Sequence, residues 1–381
     1  MNTATIAVAG WGKTEALATA VSREDNPERV LVLTYTETNQ REDAFRIAQK
    51  MPESKHQPTV MGWKAFELNE IVRPYLPILY PERKLRGMVF KRLNLRNHPK
   101  GVQRYLTSDN DAYSEFLGKL SFDLIQKSDK SAIRRLEWQY DAIYIDEGQD
   151  LRGNDLQVIK ELLKSEIRVH LFLDPRQSTL STTSQDTKYK TKYASVNIIN
   201  LYREWEQEGL LQISYKNVTH RCGEKIALLS DLILPDTLNL PPTISKVESR
   251  ELHNGVYIIS KDAIQQYANQ HHATLLAVQQ SSNYKVPEAI NFKKSKGLTR
   301  DDVLIVSTNT IENYLLNNTE LPSESMCGFY VAVTRARYSV AIAVNDPKAV
   351  INKMKENEFR STLADELLAE DIPIIKHEQV S

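Results

Sequence analysis

A short run of strand-forming residues that ends in clustered polar side chains is the feature that most constrains this chain. Residues 142–145 read Ala-Ile-Tyr-Ile, and Asp146, Glu147, Gln149 and Asp150 follow at once. Burying such a run directly before several carboxylates is costly unless a positive group is held there. In open α/β sheets, ligands bind at the carboxyl ends of the strands. An Asp-Glu pair at such an end suits a metal–nucleotide site, and the alternative is a solvated junction between strand and loop.

The composition bounds the class of protein. The chain has 381 residues, enough for two or three domains of ~150 residues each. Charged residues make up 26% and the formal net charge is zero, so any nucleic-acid surface must be a local patch. Cys222 and Cys327 show neither metal-binding spacing nor a disulfide framework, which favours a reducing compartment. Without a membrane-length apolar run or a signal-peptide pattern, the sequence predicts a cytoplasmic protein with no membrane contact.

A glycine-containing turn near the amino terminus provides a candidate phosphate site. Residues 5–9 form a predicted strand, and a helical pattern begins after Thr14. The turn residues are Gly10, Gly12, Lys13 and Thr14. In a phosphate-binding loop, backbone N–H groups cradle the phosphates, the lysine neutralises them and the hydroxyl reaches Mg²⁺. Ala7 stands where the general pattern has its first glycine, and a purely structural turn is the alternative.

Predicted strands alternate with predicted helices in two successive sets, which indicates an α/β fold of two units with parallel sheets. The main predicted strands are 5–9, 29–36, 142–145 and 167–173 in the first set, and 211–215, 303–306 and 338–344 in the second. The charged segment 203–209 resembles a linker, so we expect domains at 1–205 and 206–381, with a charged helical tail. Residues of about 70–135 form a predicted helical insertion rich in Lys, Arg, Tyr and Phe. That mixture suits nucleic-acid backbones and stacked bases, or it is a solvated face.

Taken in order, these pieces resemble the motifs of superfamily 1 helicases of the UvrD/Rep type. The resemblance spans about residues 5–345. The matching segments are 7–14 (phosphate loop), 32–36, 63–66, 146–150 (Asp-Glu-x-Gln-Asp), 174–178 (Asp-x-x-Gln-Ser), 220–221 (in place of a Tyr-Arg pair), 295–298 (Lys-Gly-Leu) and 331–337 (Val-Ala-x-Thr-Arg-Ala-Arg). The interval between Arg221 and Lys296 is short for the large accessory domain that the family inserts there, so a compact member is expected.

The resemblance implies two RecA-like P-loop NTPase domains, with ATP and Mg²⁺ bound in the cleft between them. It implies that Lys13 holds phosphates and that Thr14 and Asp146 hold Mg²⁺. Glu147 would activate the attacking water, and Gln177 would sense the γ-phosphate.

The resemblance also implies roles for residues of the second domain. Arg221 and Arg335 would neutralise charge in the transition state, an effect that is worth orders of magnitude in rate. Surface ion pairs are the alternative for either arginine alone. His220 would lie against adenine. The glycines carried over to the nucleotide site are Gly10, Gly12 and Gly297.

Single-stranded DNA is the implied partner, and RNA is not excluded because backbone contacts need not read the 2′-OH. Thr36, Trp63 and Phe66 occupy positions where the family grips the strand, although core packing is the alternative for the two aromatic residues. The sequence therefore predicts an ATP-dependent DNA helicase or translocase. The alternative is a nucleotide-gated ATPase switch subunit that controls a partner such as a nuclease in a phage-defence complex.

Overall fold

The computed structural model describes residues 1–52, 56–94, 99–278 and 289–356. The chain divides into two compact units. The first comprises Met1–Ala7 and Gly12–Tyr215, and the second comprises Val8–Trp11 and the chain from Lys216 onward. The observed division therefore follows Tyr215 rather than residue 205. Most of the predicted charged tail lies outside the described residues.

The first unit is built on a six-stranded sheet with the strand order β3-β2-β6-β7-β1-β8. The pairs β3–β2, β2–β6, β6–β7 and β7–β1 are parallel. The strands are β1 (Thr3–Ala7), β2 (Val30–Thr34), β3 (Thr59–Gly62), β4 (Met88–Val89), β5 (Ala112–Tyr113), β6 (Ala142–Ile145), β7 (Arg168–Leu173) and β8 (Gln212–Lys216). The helices are α1 (Lys13–Ser22), α2 (Glu37–Lys50), α3 (Trp63–Phe66), α4 (Arg73–Leu79), α5 (Leu117–Lys127), α6 (Ser131–Gln139), α7 (Asp155–Leu163) and α8 (Ile198–Gln207).

The central strands of this sheet are buried on both faces. Every residue of β2 and of β6 is buried, as expected for parallel strands covered by helices. Alternate residues of these strands pack against α1 and α2. The cluster is centred on Leu17, Val21, Val32, Ile47, Tyr144 and Phe172. Each such side chain contributes roughly 1.5–3 kcal/mol of burial free energy, which holds the two helices against the sheet.

The segment between β3 and β6 is mainly helical, as the sequence predicts. It contains α3 to α6, a π-helix over Glu67–Val72, and a separate two-stranded parallel sheet of β4 and β5. A buried ion cluster joins this segment to α7. Lys64 Nζ lies 2.9 Å from Glu67 Oε2 and 3.2 Å from Asp155 Oδ1. The cluster therefore ties the start of the insertion to the helix that follows β6.

The second unit has a five-stranded parallel sheet with the order β11-β15-β14-β12-β13, and a separate pair of β9 and β10. The strands are β9 (Val218–Thr219), β10 (Ile244–Ser245), β11 (Gly255–Ser260), β12 (Thr274–Ala277), β13 (Ile290–Asn291), β14 (Arg300–Val306) and β15 (Ala336–Val344). The helices are α9 (Glu224–Leu232), α10 (Ile264–His271), α11 (Asn309–Asn317), α12 (Ser323–Val333) and α13 (Pro347–Glu356). Within the described part of the chain, no helix is both long and apolar enough to span a membrane.

The predicted α/β class with parallel sheets in two units is confirmed, but two assignments at the boundary are wrong. The segment 203–209 is not a linker, because α8 presents Ile198, Leu201, Tyr202 and Trp205 to the core at the spacing of a buried helix face. The strand predicted to open the second unit is β8, which lies at the edge of the first sheet beside β1.

A half-buried histidine in β7 should make stability depend on pH. His170 Nδ1 lies 2.9 Å from Thr3 Oγ1, and its ring contacts Tyr144. Burial, with a smaller contribution from Arg168, lowers the pKa of His170 to about 4. A histidine in the unfolded chain takes up a proton below a pH of about 6.5. In the folded chain, His170 takes up a proton only near pH 4. This histidine therefore costs stability as the pH falls through that window.

His170→Gln is expected to reduce that loss. Between pH 7 and pH 5, the free energy of unfolding of the variant should fall by about 1–2 kcal/mol less than that of the wild type. Urea denaturation at the two pH values measures the difference. His56→Gln, at an exposed position, serves as the control. Its free energy of unfolding should fall between pH 7 and pH 5 by the same amount as that of the wild type. If His170→Gln and the wild type lose the same unfolding free energy between pH 7 and pH 5, the lowered pKa of His170 is contradicted.

Candidate active site

The polar motifs of the first unit share one edge of its sheet. Ile6 pairs with Leu173, and Leu33 pairs with Ile145, so these strands end level with one another. The segments that follow the strand ends carry residues 12–14 after β1, 36 after β2, 63–66 after β3, 146–150 after β6 and 174–177 after β7. The structure therefore brings these predicted site residues to the carboxyl edge, where α/β sheets bind ligands.

The turn before α1 is suited to an anion. Gly12 precedes the helix with φ +99°, a conformation that favours glycine, and no side chain among the described residues caps the helix. The first backbone N–H groups of the helix therefore remain available, and they carry the positive end of its dipole. Lys13 has no ion-pair partner in the described part of the chain. Lys13 and Thr14 are half-buried, as a phosphate-binding pair would be.

The two acids after β6 have different environments. Asp146 is buried, and its backbone N–H donates to Leu33 O at 2.8 Å. Glu147 is half-buried and has φ +53°, a left-handed conformation that is uncommon for a residue with a side chain. The chain therefore turns sharply directly after Asp146.

A hydrogen-bonded path leads from Glu147 to Gln177 within the first unit. Gln149 Nε2 donates to the Glu147 carboxylate, and Gln149 Oε1 accepts from the Asp174 N–H at 2.9 Å. Gln177 Nε2 in turn donates to Asp174 Oδ2 at 2.7 Å. Arg176 Nε occupies the other oxygen of Asp174 at 2.7 Å. The ends of β6 and β7 are therefore coupled by side chains that are largely buried.

The donor set fits Mg²⁺ that arrives with a nucleotide. Asp146 and the hydroxyl of Thr14 offer hard oxygen ligands of the kind that Mg²⁺ prefers. Within the described ranges, no three His, Cys, Asp or Glu residues form a metal-binding group. Mg²⁺ is commonly held by one or two carboxylates together with substrate phosphates and water, so a set of this size is sufficient.

One acid at this edge was missed by the sequence reasoning. Asp43 lies on α2 and is fully buried, and neither carboxylate oxygen has a hydrogen-bond partner among the described residues. Burial raises the pKa of Asp43 to about 9, and the charges of Asp146 and Glu147 add to the effect. The available signal was its position four residues before Ile47, which places a carboxylate on the core face of the helix.

The predicted strand-binding residues are differently placed. Thr36 caps α2 by accepting from the Asn39 N–H at 3.2 Å. Trp63 and Phe66 are 1% and 0% exposed, and their ring centroids lie 5.4 Å apart. The structure therefore favours core packing for both rings, and their stacking on bases stays a prediction.

In the second unit, Gly297 and Arg335 lie at the amino edge of the sheet. Gly297 precedes β14 and has φ +89°, and Arg335 precedes the neighbouring β15. Arg335 is 1% exposed, and its guanidinium donates to Val331 O at 2.9 Å and to Leu298 O at 3.2 Å. This arginine thus closes the turn that contains Gly297.

The His220–Arg221 turn lies beside that edge. Cys222 Sγ donates to Thr334 O at 3.5 Å, and Gly223 N–H donates to Arg337 O at 2.8 Å. His220 is exposed and Arg221 is half-buried. The guanidinium of Arg221 has no ion-pair partner among the residues that the structure describes. Of the two predicted arginines, Arg221 is therefore the more available to a ligand.

Gly10, which belongs to the second unit, packs closely against this turn. The His220 N–H donates to Gly10 O at 3.0 Å, and Thr219 Oγ1 donates to Ala9 O at 2.7 Å. Gly10 has φ +79°, and a Cβ added to it would lie 2.4 Å from the Cβ of Arg221. Only glycine fits this position without movement of the turn.

Gly10→Ala is expected to destabilise the chain by about 1–3 kcal/mol more than Gly297→Ala. Both positions have positive φ, but a Cβ on Gly297 would meet no atom within 4 Å. The comparison therefore isolates the steric clash from the backbone strain that the two variants share. Urea denaturation of both variants provides the measurement, and equal losses would show that the Arg221 turn does not constrain Gly10.

Comparison with solved structures finds arterivirus nonstructural protein 10 (helicase), described in complex with DNA. It is 12% identical with a TM-score of 0.44, and the match covers 92% of this chain and 63% of that chain. The chain therefore spans less than two thirds of the length of that helicase. Comparison with curated proteins gives no match.

Comparison with protein-family models identifies the family. The model for the viral superfamily 1 RNA helicase core domain matches residues 102–344, which is more than half of the chain. The predicted membership of superfamily 1 is confirmed, while the UvrD/Rep subtype stays a prediction. The chain belongs to the family of viral superfamily 1 RNA helicase core domains.

Proposed function

We propose that this chain hydrolyses ATP with Mg²⁺ and couples hydrolysis to movement along single-stranded nucleic acid. One observation carries the proposal. The uncapped amino end of α1, with Lys13, lies at the same sheet edge as the acids Asp146 and Glu147. An anion site and a carboxylate pair on one edge supply what phosphoryl transfer to water requires, namely phosphate binding, a metal ligand and a base.

Each residue of the first unit takes a separate role. The N–H groups of α1 and the ammonium of Lys13 bind the phosphates, and Thr14 and Asp146 hold Mg²⁺. When bound, Mg²⁺ neutralises charge on the phosphate oxygens. Glu147 orients a water molecule and accepts its proton as the water oxygen attacks the γ-phosphorus, and ADP leaves.

Gln177 would sense whether the γ-phosphate is present. The signal would pass through the hydrogen bonds that join Glu147, Gln149, Asp174 and Gln177. A change at the Glu147 carboxylate alters its bond to Gln149, and Gln149 also holds the backbone of Asp174. Because Asp174 accepts from Gln177, the ends of β6 and β7 would respond together. Such a coupled edge would be suited to transmit hydrolysis if it adopts two arrangements during the cycle.

Among the residues of the second unit, Arg221 would contribute the principal charge to the transition state. Its guanidinium is half-buried and is not held in an ion pair within the described part of the chain, whereas that of Arg335 already donates to two carbonyl groups. Arg335 then supports the turn with Gly297, and a direct contact of Arg335 with phosphate requires those bonds to open. His220 would contact the base.

The substrate strand is a single-stranded nucleic acid, and Thr36 would contact its backbone. DNA is the first expectation from the sequence, while the matching family model is described for RNA helicases. Fluorescence anisotropy with labelled oligo-dT and oligo-U tests the coupling. The affinity for at least one strand should differ among the nucleotide-free, ADP-bound and non-hydrolysable-analogue states.

Strand affinity that is identical in all three nucleotide states would contradict a motor. Nucleotide binding without any strand binding would instead support the nucleotide-gated switch that controls a partner protein. Each titration is repeated at higher salt, because backbone contacts weaken with ionic strength whereas an artefact of labelling does not.

A further inference from the structure

The burial of Asp43 costs free energy that no hydrogen bond from a described residue offsets. It lies in the second turn of α2 with an exposed fraction of 0%. Neither Oδ1 nor Oδ2 accepts a hydrogen bond from any described residue. A buried polar group without a partner costs about 1–3 kcal/mol, and more when it is charged. A bound ion or an ordered water molecule is one partner that can account for such a group in a native fold.

The charged groups around Asp43 do not stabilise its carboxylate. Those that act on it most strongly are the carboxylates of Asp146 and Glu147, followed by Glu42, and all three are repulsive. Arg46 is the attractive group, but its guanidinium bonds Glu42 at 2.5 Å and Glu15 at 3.3 Å. Among the described residues, Asp43 therefore has no cation of its own to offset the charges of Asp146 and Glu147.

A second buried group at the same sheet edge also lacks a partner. Thr34 ends β2, is 1% exposed, and its Oγ1 has no hydrogen-bond partner among the described residues. The next strand in the sheet leads into Asp146, whose N–H bonds the carbonyl of Leu33. Two unsatisfied side chains thus flank the position of the proposed metal ligand. Hydroxyl and carboxylate oxygens together suit ordered water.

Two other buried acids of this unit, Glu67 and Asp155, show how a side chain can supply the counter-charge. Glu67 and Asp155 are as deeply buried as Asp43, and both are held by the ammonium of Lys64. Asp43 has no equivalent lysine or arginine bond among the described residues. The difference indicates that its counterpart is a bound group rather than a side chain.

We propose that Asp43 is a positioning residue for hydrated Mg²⁺, with its carboxylate accepting hydrogen bonds from water molecules that the ion retains. The inference rests on the proposed function. Mg²⁺ gives up its water reluctantly, and carboxylates outside its direct ligands orient the water it keeps. The described acids do not group as three direct ligands, which is consistent with a role through water. A nearby cation also offsets the repulsion among Asp43, Asp146 and Glu147.

Asp43→Asn tests this inference with a binding measurement. A fluorescent ADP analogue is titrated with Mg²⁺ in the presence of the full chain, and unfolding is followed separately without nucleotide. The Mg²⁺ concentration for half-maximal binding should rise roughly 10-fold or more. Analogue binding in EDTA should be unchanged, and stability should be unchanged or higher, since the variant removes a buried acid without a partner.

Glu42→Gln is the matched control, because it alters the neighbouring acid of α2 at an exposed position. It should keep the wild-type response to Mg²⁺. A wild-type response in Asp43→Asn, or a loss of stability together with the loss of response, would overturn the metal-positioning role. If the wild type itself binds the analogue without any effect of Mg²⁺, the proposed function fails as well, so the two failures are distinguishable.

Discussion

Glu147→Gln is expected to lower ATP turnover by about 10²–10⁴-fold while ATP binding is retained. The amide cannot accept a proton from water, but its oxygen can still accept the hydrogen bond that Gln149 Nε2 donates to this side chain. The path from Glu147 to Gln177 and the left-handed backbone at residue 147 should therefore persist. Steady-state phosphate release and titration with a fluorescent ATP analogue measure the two quantities.

The control is Glu37→Gln, which neutralises an exposed acid in the first turn of α2. It should leave turnover within about twofold of the wild type, because surface charges contribute little. Near-wild-type turnover in Glu147→Gln would remove Glu147 from the role of base. Loss of both turnover and binding would show instead that the residue maintains the site.

Lys64→Ala is expected to destabilise the chain by about 3–5 kcal/mol, the usual cost of breaking a buried ion pair from one side. The variant leaves Glu67 and Asp155 facing each other without their common cation. Burial, and next the charge of Asp155, already raise the pKa of Glu67 well above its usual value. Despite the opposing effect of burial, Asp155 and Glu67 hold the pKa of Lys64 above its usual value. Urea denaturation provides the measurement.

Lys130→Ala is the matched control, because Lys130 pairs with Glu161 at 3.1 Å while half of its side chain is exposed. Its loss should cost less than about 1 kcal/mol. Combining Lys64→Met with Glu67→Gln and Asp155→Asn should recover part of the stability, because the cluster then contains no buried charge. If Lys64→Ala loses no more stability than Lys130→Ala, the cluster does not hold the insertion in place.

The sequence was informative about the polar residues that follow the strands. The resemblance implied that Lys13, Asp146 and Gln177 belong to one nucleotide site, and a predicted strand precedes each of them. Because parallel strands place their following loops together, these residues lie at the carboxyl edge of the first sheet, and their roles stay predictions.

The sequence was less informative where tertiary packing decides which residues are buried and which distant residues pair. The charged residues of α8 suggested a linker, although Trp205 belongs to a buried face. The partner of Lys64 in α7 lies 91 residues away, which local pattern cannot indicate. Asp43 was overlooked because it is a single acid in a charged helix, although its spacing from Ile47 places it on the core face.

Hydrolysis of ATP by the wild-type chain, with and without single-stranded DNA or RNA, tests the central claim most directly. We expect one or both strands to raise the rate several-fold at low salt, with less stimulation at high salt and none in Glu147→Gln. The preference between DNA and RNA identifies the strand that the motor uses. Hydrolysis that neither strand changes, under conditions where the wild type binds ATP, would contradict a motor.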